Sequence, residues 1–283
     1  MIGRVDAASV LSSDLVLDTT DRSSHGIRIS LPPRKPGTRP AYRLGYAEAE
    51  RMRWLRGRRR FGEGWADPGD SAGSPGDDIR KLDYVVVDLE TTGGSAWQGH
   101  RVTEVCAIRI RGNGKFVEEY ASLVNPDRPI PPFITRLTRI TPSMAAKAPR
   151  FNEVADEVRR VVDGAVFVAH NAPFDWRFLS TELDWAGAGP LRGRVLCTVR
   201  LARRLVPEVS RRSLDALSWF FGIENVARHR AFGDARATAD IFRILLDRLD
   251  ELEIRRWEDV EALMSRRAPR RKRRASPEPV RDF

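Results

Sequence analysis

Short runs of consecutive apolar residues predict the strands of a sheet in the middle of the chain. Residues 84–87 and 165–169 are apolar at every position, which is typical of strands covered on both faces. Residues 102–110 and 115–124 predict two further strands, and the Arg-Gly-Asn-Gly segment between them is a strong hairpin-turn signal. A short strand over 194–197 completes a predicted set of five.

Apolar positions three and four residues apart predict helices between and after these strands. Phe151, Val154, Val158 and Val161 form one helical face. Further helices are predicted over 172–183, from the end of the last strand to about 205, over 213–221 and from about 234 to 252. A hairpin of strands followed by alternating helices and strands predicts an α/β fold, with a mixed sheet of about five strands flanked by helices.

The two ends of the chain lack this patterning. Residues 1–80 show no sustained period and are predicted to form a basic, largely disordered N-terminal arm, with a short basic helix around 45–60. Residues 265–283 combine like charges with prolines and predict a basic disordered tail. A folded domain over 81–255 and a short helix over 256–264 lie between them.

The net charge of +10 is concentrated in these two ends. It is +3 over 1–80, +6 over 265–283 and only +1 over 81–264. Basic tails bind phosphate groups by releasing counterions, and they also occur as solvated extensions without a partner. Both interpretations of the ends stay open, and the charge alone does not identify the function of the folded domain.

Composition narrows the class of protein further. Hydrophobic residues make up 41% of the 283 residues, yet no apolar run approaches the roughly 18 residues of a membrane helix. The N-terminus lacks an apolar stretch long enough for a signal peptide. Cys106 and Cys197 lie in apolar stretches and are predicted to be buried, reduced thiols. We therefore predict a cytoplasmic protein with no membrane partner.

Two carboxylates follow the first buried strand directly. Asp88 and Glu90 are two positions apart, and such residues point to the same face of an extended chain. The ends of central strands are where open α/β sheets bind ligands. Two like charges in one partly buried place are costly unless a cation lies between them. An exposed acidic turn explains the pair equally well, so the pair alone does not distinguish a cation-binding site from such a turn.

Two more acids and a histidine occupy comparable places. Asp175 follows the strand over 165–169, near the start of a helix, and Asp234 is predicted to begin the long C-terminal helix. Either acid alone is explained by helix capping, but Asp175 follows a strand that is predicted to be central and can therefore face the same end of the sheet as Asp88. His229 lies five residues before Asp234, a spacing that suits a mobile loop base placed over an acid held by the helix.

Oxygen ligands without sulfur favour a hard cation such as Mg²⁺ or Mn²⁺. Two such ions roughly 3.5–4 Å apart are a standard arrangement for hydrolysing a phosphodiester bond. A histidine, with an ordinary pKa of about 6.5, is suited to accept the proton of an attacking water near neutral pH.

Three short motifs contain these five residues. They are Asp88-Leu-Glu90-Thr-Thr-Gly, His170-Asn-Ala-Pro-Phe-Asp175 and His229-Arg-Ala-Phe-Gly-Asp234-Ala. In this order and at these separations they resemble the motifs of the DEDDh 3′→5′ exonuclease family, which includes the epsilon proofreading subunit of bacterial DNA polymerase III and ribonuclease T. The resemblance covers about 82–252, and the motifs are specific in combination.

The resemblance implies an RNase H-like sheet with helices on both sides. It implies that four carboxylates hold two Mg²⁺ or Mn²⁺ ions and that His229 is the general base. The four are Asp88, Glu90, Asp175 and Asp234.

The resemblance also implies which residues contact substrate. Leu89 and Thr91 would meet the terminal nucleotide, through packing and through the backbone or hydroxyl near the 3′-OH. Phe178, one helical turn after Asp175, packs either against a base or in the core. The proofreading subunit holds its polymerase through a C-terminal segment, and that region is Arg-rich here, so a polymerase partnership stays open.

Together these observations predict a metal-dependent 3′→5′ exonuclease. Its predicted substrate is the single-stranded or frayed 3′ end of DNA, and its products are nucleoside 5′-monophosphates. One alternative is an RNA-trimming 3′→5′ exoribonuclease, because discrimination between the two sugars depends on contacts to the 2′-OH. The other is a nucleic-acid-binding adaptor that acts through Arg51–Arg60 and Arg266–Arg274.

Overall fold

A computed structural model describes residues 76–265, which contain a five-stranded mixed sheet. The strands are β1 (Asp83–Thr91), β2 (Val102–Arg111), β3 (Phe116–Leu123), β4 (Val166–Ala169) and β5 (Val195–Cys197). They lie in the order β3-β2-β1-β4-β5. β2 is antiparallel to both β1 and β3, whereas β4 runs parallel to β1 and β5 parallel to β4. This topology confirms the predicted α/β fold.

Eight α-helices accompany the sheet within the described residues. They are α1 (Pro132–Thr138), α2 (Pro142–Ala146), α3 (Phe151–Val162), α4 (Ala172–Trp185), α5 (Thr198–Leu205), α6 (Leu214–Phe221), α7 (Ala231–Glu251) and α8 (Trp257–Ser265). No helix in this part of the chain is long and apolar enough to cross a membrane.

The side chains of β1 divide between two hydrophobic cores. Tyr84 and Val86 pack with α5, α6 and α7, whereas Val85 and Val87 pack with α3 and α4 on the other face. Because helices cover both faces of this central strand, all four positions are apolar. The continuous apolar run in the sequence therefore reports a strand buried on both sides, as predicted.

The pattern of the sequence did not predict α1 and α2. They have seven and five residues, which is too short for a 3.6-residue period to become visible. Each begins at a proline, Pro132 or Pro142, whose fixed φ and missing N–H suit the first helical position. The Thr141 side chain caps α2 by accepting a hydrogen bond from the N–H of Met144.

The sequence pattern predicted that the folded domain begins at residue 81. In the structure the folded region begins a few residues earlier. Ile79 is fully buried, and its N–H donates to the carbonyl of Arg255 at 2.9 Å. The N–H of Trp257, at the start of α8, donates to the carbonyl of Asp77 at the same distance. Both ends of the domain thus pack together. The predicted arm up to residue 75 and the tail from 266 onward lie outside the described residues.

Both cysteines are buried and form no disulfide, as predicted. Burial raises the pKa of the Cys106 thiol well above its ordinary value, and the negative charges of Glu119 and Asp88 add to the effect. A thiol in such a setting stays protonated and unreactive, so Cys106 serves as a small core residue.

Candidate active site

The first two acids lie within β1 rather than after it, because the strand continues to Thr91. Asp88 and Glu90 alternate with Leu89, so both carboxylates face the side of the sheet covered by α7 while Leu89 joins the core under α3 and α4. The two acids are partly buried. The prediction that they share one face is confirmed.

Asp234 lies on α7, the helix that covers the face of β1 with the two acids. It lies in the first turn of α7, which begins at Ala231, and it is buried. Its carboxylate accepts a hydrogen bond from the side-chain amide of Asn225, and the helix dipole favours a negative charge at this end. Because α7 packs against β1 and β2, its first turn brings Asp234 close to Glu90 of β1.

Three of the five predicted residues come together closely. One ligand atom from each of Glu90, His229 and Asp234 lies within 4.8 Å of the other two. Two carboxylate oxygens and a ring nitrogen at such separations fit a divalent cation with a preference for oxygen. The donor set of the site is therefore suited to the metal ions that its motifs imply.

Asp88 and Asp175 are not members of this group of three. Asp175 is buried in the first turn of α4, which follows β4, and β4 pairs with β1 through Val86 and Val168. The carboxyl end of β4 therefore lies beside that of β1, which places Asp175 at the edge of the sheet where Asp88 is found.

His229 is held in an unusual backbone conformation just before α7. Its φ is 61°, a left-handed value that is uncommon for residues with a Cβ. Arg228 on one side forms an ion pair with Asp215 of α6, and Arg230 on the other forms an ion pair with Glu104 of β2. The sequence suggested a mobile loop at this histidine, whereas in the structure both of its neighbours are anchored to other elements.

Sequence reasoning missed Glu104, a buried acid on β2. The Nε and Nη2 of Arg230 donate to its two oxygens at 2.7 to 3.1 Å, and the N–H of Ala231 donates to it at 2.9 Å. The hydrogen bonds from the guanidinium to Glu104, opposed by burial, raise the pKa of Arg230 above its ordinary value, and the charges of Glu104 and Glu90 contribute as well. Glu104 is the one charged residue in the mostly apolar segment 102–108 of β2, and this pattern was a sequence signal for a buried acid.

A second buried acid, Glu182, was missed in the same way. It lies on α4 with 2% of its surface exposed, and it accepts two hydrogen bonds from the guanidinium of Arg101 at 2.8 and 2.9 Å. It also accepts from the N–H of Val102 at 2.9 Å. This pair ties the helix that carries Asp175 to the start of β2. The spacing of seven residues from Asp175, which is two helical turns, was its only sequence signal.

All three predicted substrate contacts are buried, but they lie in different places. Leu89 and Thr91 are largely buried at the end of β1, and the Thr91 hydroxyl donates to the carbonyl of Gly93 at 2.6 Å. Phe178 is 2% exposed, and its ring centroid lies 4.8 Å from that of Phe174. This burial favours the core-packing alternative for Phe178 over contact with a base.

The turn after β1 is held by close packing. The Thr92 hydroxyl lies 3.2 Å from Nδ1 of His100, and a Cβ on Gly93 would come within 2.4 Å of the same ring. A side chain at Gly93 would therefore displace the His100 ring. Burial of the His100 ring, together with the charge of Arg128, lowers its pKa.

Gly233 gives a first testable prediction. A Cβ at this position would lie 2.3 Å from the carbonyl oxygen of Ala227, in the loop that carries His229. We expect Gly233→Ala to lower the free energy of unfolding by about 1–3 kcal/mol, the usual cost of overpacking, despite a gain of about 1 kcal/mol in helix propensity. Urea unfolding measures this change.

The control for this variant is Gly76→Ala, because a Cβ on Gly76 meets no atom within 4 Å. A Gly233→Ala protein as stable as the control would show that the loop moves aside freely and that close packing does not fix His229.

The relatives of this chain include a DNA polymerase and an exonuclease. The chain is 37% identical over 185 residues to the PolC-type DNA polymerase III of Caldanaerobacter subterraneus, covering 65% of this chain and 13% of that one. It is 38% identical over 174 residues to the 3′-5′ exonuclease DinG of Bacillus subtilis, covering 62% and 19%. The chain thus corresponds to a small part of the length of these two relatives.

A solved structure of Exonuclease X in complex with 5′ overhanging duplex DNA has a similar fold. The likeness has a TM-score of 0.50 at 28% identity, covering 64% of this chain and 99% of the other. Residues 85–242, which include all five predicted site residues, match the RNase T family, described as exonucleases. Divalent metals are typical of that family. The chain belongs to the RNase T family of exonucleases.

Proposed function

We propose that this chain is a metal-dependent 3′→5′ exonuclease that removes nucleotides from the 3′ end of DNA and releases nucleoside 5′-monophosphates. The observation that carries the proposal is the meeting of Glu90, His229 and Asp234 within 4.8 Å at the edge of the sheet. A site of two acids and one histidine, in a chain of an exonuclease family, has the groups that phosphodiester hydrolysis requires.

Four carboxylates would hold two Mg²⁺ or Mn²⁺ ions in this proposal. When bound, such ions lower the pKa of the attacking water and stabilise the negative charge on the leaving 3′-oxygen. The burial of Asp175 and Asp234 supports this role, because buried carboxylates are stable only when neighbouring groups or cations offset their charge. The four residues are Asp88, Glu90, Asp175 and Asp234.

His229 is the proposed general base. A ring nitrogen of His229 lies within 4.8 Å of the carboxylates that would flank the water, and it would accept the proton as the phosphodiester bond is attacked. The ion pairs of Arg228 and Arg230 on either side support this role, since a base must be held within reach of the proton it removes.

Leu89 and Thr91 are the proposed contacts to the terminal nucleotide. Both lie at the end of β1 beside the acids, where packing from Leu89 and hydrogen bonding around Thr91 would place the 3′ end. Phe178 is left out of this proposal because its buried ring packs against Phe174, whereas Leu89, although also buried, lies between the two acids of β1.

DNA is the proposed substrate, at a single-stranded or frayed 3′ end. The support comes from the similar proteins: Exonuclease X was solved with a DNA duplex, and PolC is named a DNA polymerase. The test is a digestion panel of single-stranded DNA, duplex DNA with a mismatched 3′ end and RNA, each with Mg²⁺ and with a chelator. Metal-dependent release of mononucleotides from DNA is expected. Preferential digestion of RNA would favour the exoribonuclease, and binding without cleavage would favour the adaptor.

A further inference from the structure

Glu104 is a buried carboxylate with no direct part in the proposed reaction. It lies on β2 directly opposite Glu90 of β1, with 5% of its surface exposed. The guanidinium of Arg230 and the N–H of Ala231 donate four hydrogen bonds to it, all between 2.7 and 3.1 Å. A charge buried to this extent requires such partners, and the charge-assisted bonds are strong enough to fix one geometry.

The partners of Glu104 form the start of α7. Arg230 directly follows His229, and its carbonyl oxygen accepts from the N–H of Asp234 at 3.0 Å. Glu104 therefore ties the backbone between the base and a ligand acid to the strand next to β1. A negative charge at the N-terminal end of a helix is also favourable in itself.

Electrostatics gives the same contact a second consequence. Glu90 and Glu104 are directly opposed on neighbouring antiparallel strands, so their side chains share a face and repel each other. Arg230 offsets this repulsion, because it is hydrogen-bonded to Glu104 and also interacts with the charge of Glu90. If Glu104 lost its charge, the attraction of Arg230 to Glu90 would be unopposed.

We propose that Glu104 is a positioning residue for the metal site: it places His229 and Asp234, and it holds Arg230 away from Glu90. The catalytic consequence rests on the proposed function, whereas the consequence for metal binding rests on the contacts of Glu104 and on the group formed by Glu90, His229 and Asp234. Partners that orient metal ligands typically change metal affinity or activity by about 10–100-fold when they are removed.

The test is Glu104→Gln in the full chain, with Mn²⁺ as the probe. The substitution keeps the shape of the side chain and removes its charge. We expect Mn²⁺ affinity, measured by titration calorimetry, to fall by roughly 10–100-fold. On a single-stranded oligonucleotide, kcat should fall by a similar factor while KM stays unchanged, because Glu104 is buried and does not meet the substrate.

The double variant Glu104→Gln/Arg230→Gln separates positioning from a merely structural role. With Arg230 neutral, nothing competes with a cation for Glu90, and Mn²⁺ affinity should recover by about tenfold over the single variant. If Glu104 only stabilised the fold, the double variant would bind Mn²⁺ no better than the single one. Asp83→Asn is the matched control: Asp83 pairs with Arg109 at 3.1 Å, at the opposite end of β1.

Unchanged Mn²⁺ affinity in Glu104→Gln, or a double variant without recovery, would overturn the proposal. Failure of the proposed function gives a different result. In that case the natural chain binds Mn²⁺ but cleaves neither DNA nor RNA, while the effect of Glu104→Gln on Mn²⁺ affinity is still observed.

Discussion

The Asp88→Ala protein is expected to lose hydrolytic activity by about 10³–10⁴-fold or more while keeping its fold. Divalent ions stabilise the charge that develops on a transferring phosphoryl group by several kcal/mol, and each ~1.4 kcal/mol corresponds to tenfold in rate. Removing a carboxylate that faces this site from β1 should forfeit most of that stabilisation. The measurement is steady-state release of mononucleotides from a labelled single-stranded oligonucleotide in Mg²⁺.

The fold should survive this substitution for a physical reason. Asp88 is held in β1 by backbone pairing opposite Cys106, and its side chain shares a face with the like charge of Glu90. Removing one of two neighbouring carboxylates relieves repulsion when no cation is bound, so thermal stability without metal should be unchanged or higher. The natural chain should gain about 2.7 kcal/mol at a Mn²⁺ concentration a hundredfold above Kd, and the variant should lose most of this gain.

Asp83→Asn is again the control, since it neutralises an acid on the same strand far from the site. It should retain both activity and stabilisation by Mn²⁺. An Asp88→Ala protein that digests DNA at the natural rate would contradict the assignment of the β1 carboxylates to the active site.

The acids of this site could be predicted because short-range periodicity determines where they point. The period of two along β1 put Asp88 and Glu90 on one face. The change from a strand to a helix put Asp175 at the start of α4, and the apolar stripe of α7 put Asp234 at its start. These are properties of neighbouring residues, so they are visible in the sequence without any knowledge of tertiary contacts.

The supporting residues could not be predicted in this way. Glu104 and Arg230 are 126 residues apart in sequence, and Arg101 and Glu182 are 81 apart. Only the β1–β2 register and the docking of α7 bring the first pair together, and neither is encoded in a local pattern. A buried acid in an apolar strand indicates that a partner exists, because burial without one is costly, but it does not say which partner.

Phe178 illustrates a different limit. Its spacing from Asp175 places it one turn along α4, and that spacing is the same for a core residue and for a residue that stacks on a base. Its burial against Phe174 comes from the packing of α4 on the sheet, which depends on both layers at once. Helical periodicity gives the direction of a side chain but does not identify what lies there.

His229→Ala is expected to slow hydrolysis by about 10²–10⁴-fold, the usual effect of removing a general base. Two roles fit the position of its ring nitrogen, which lies within 4.8 Å of ligand atoms of Glu90 and Asp234. As a base it would act on the water, and as a ligand it would hold the cation. We expect the role of a base, in which case kcat falls while Mn²⁺ affinity stays close to that of the natural chain.

Titration calorimetry with Mn²⁺ separates these roles, because Asp88→Ala should lose affinity and His229→Ala should not. Imidazole added to His229→Ala should restore part of the rate by accepting the proton in place of the missing ring, and it should leave the rate of the natural chain unchanged. A loss of Mn²⁺ affinity in His229→Ala as large as that in Asp88→Ala would instead make His229 a metal ligand. The anchoring of Arg228 and Arg230 would then serve to fix a ligand rather than a base.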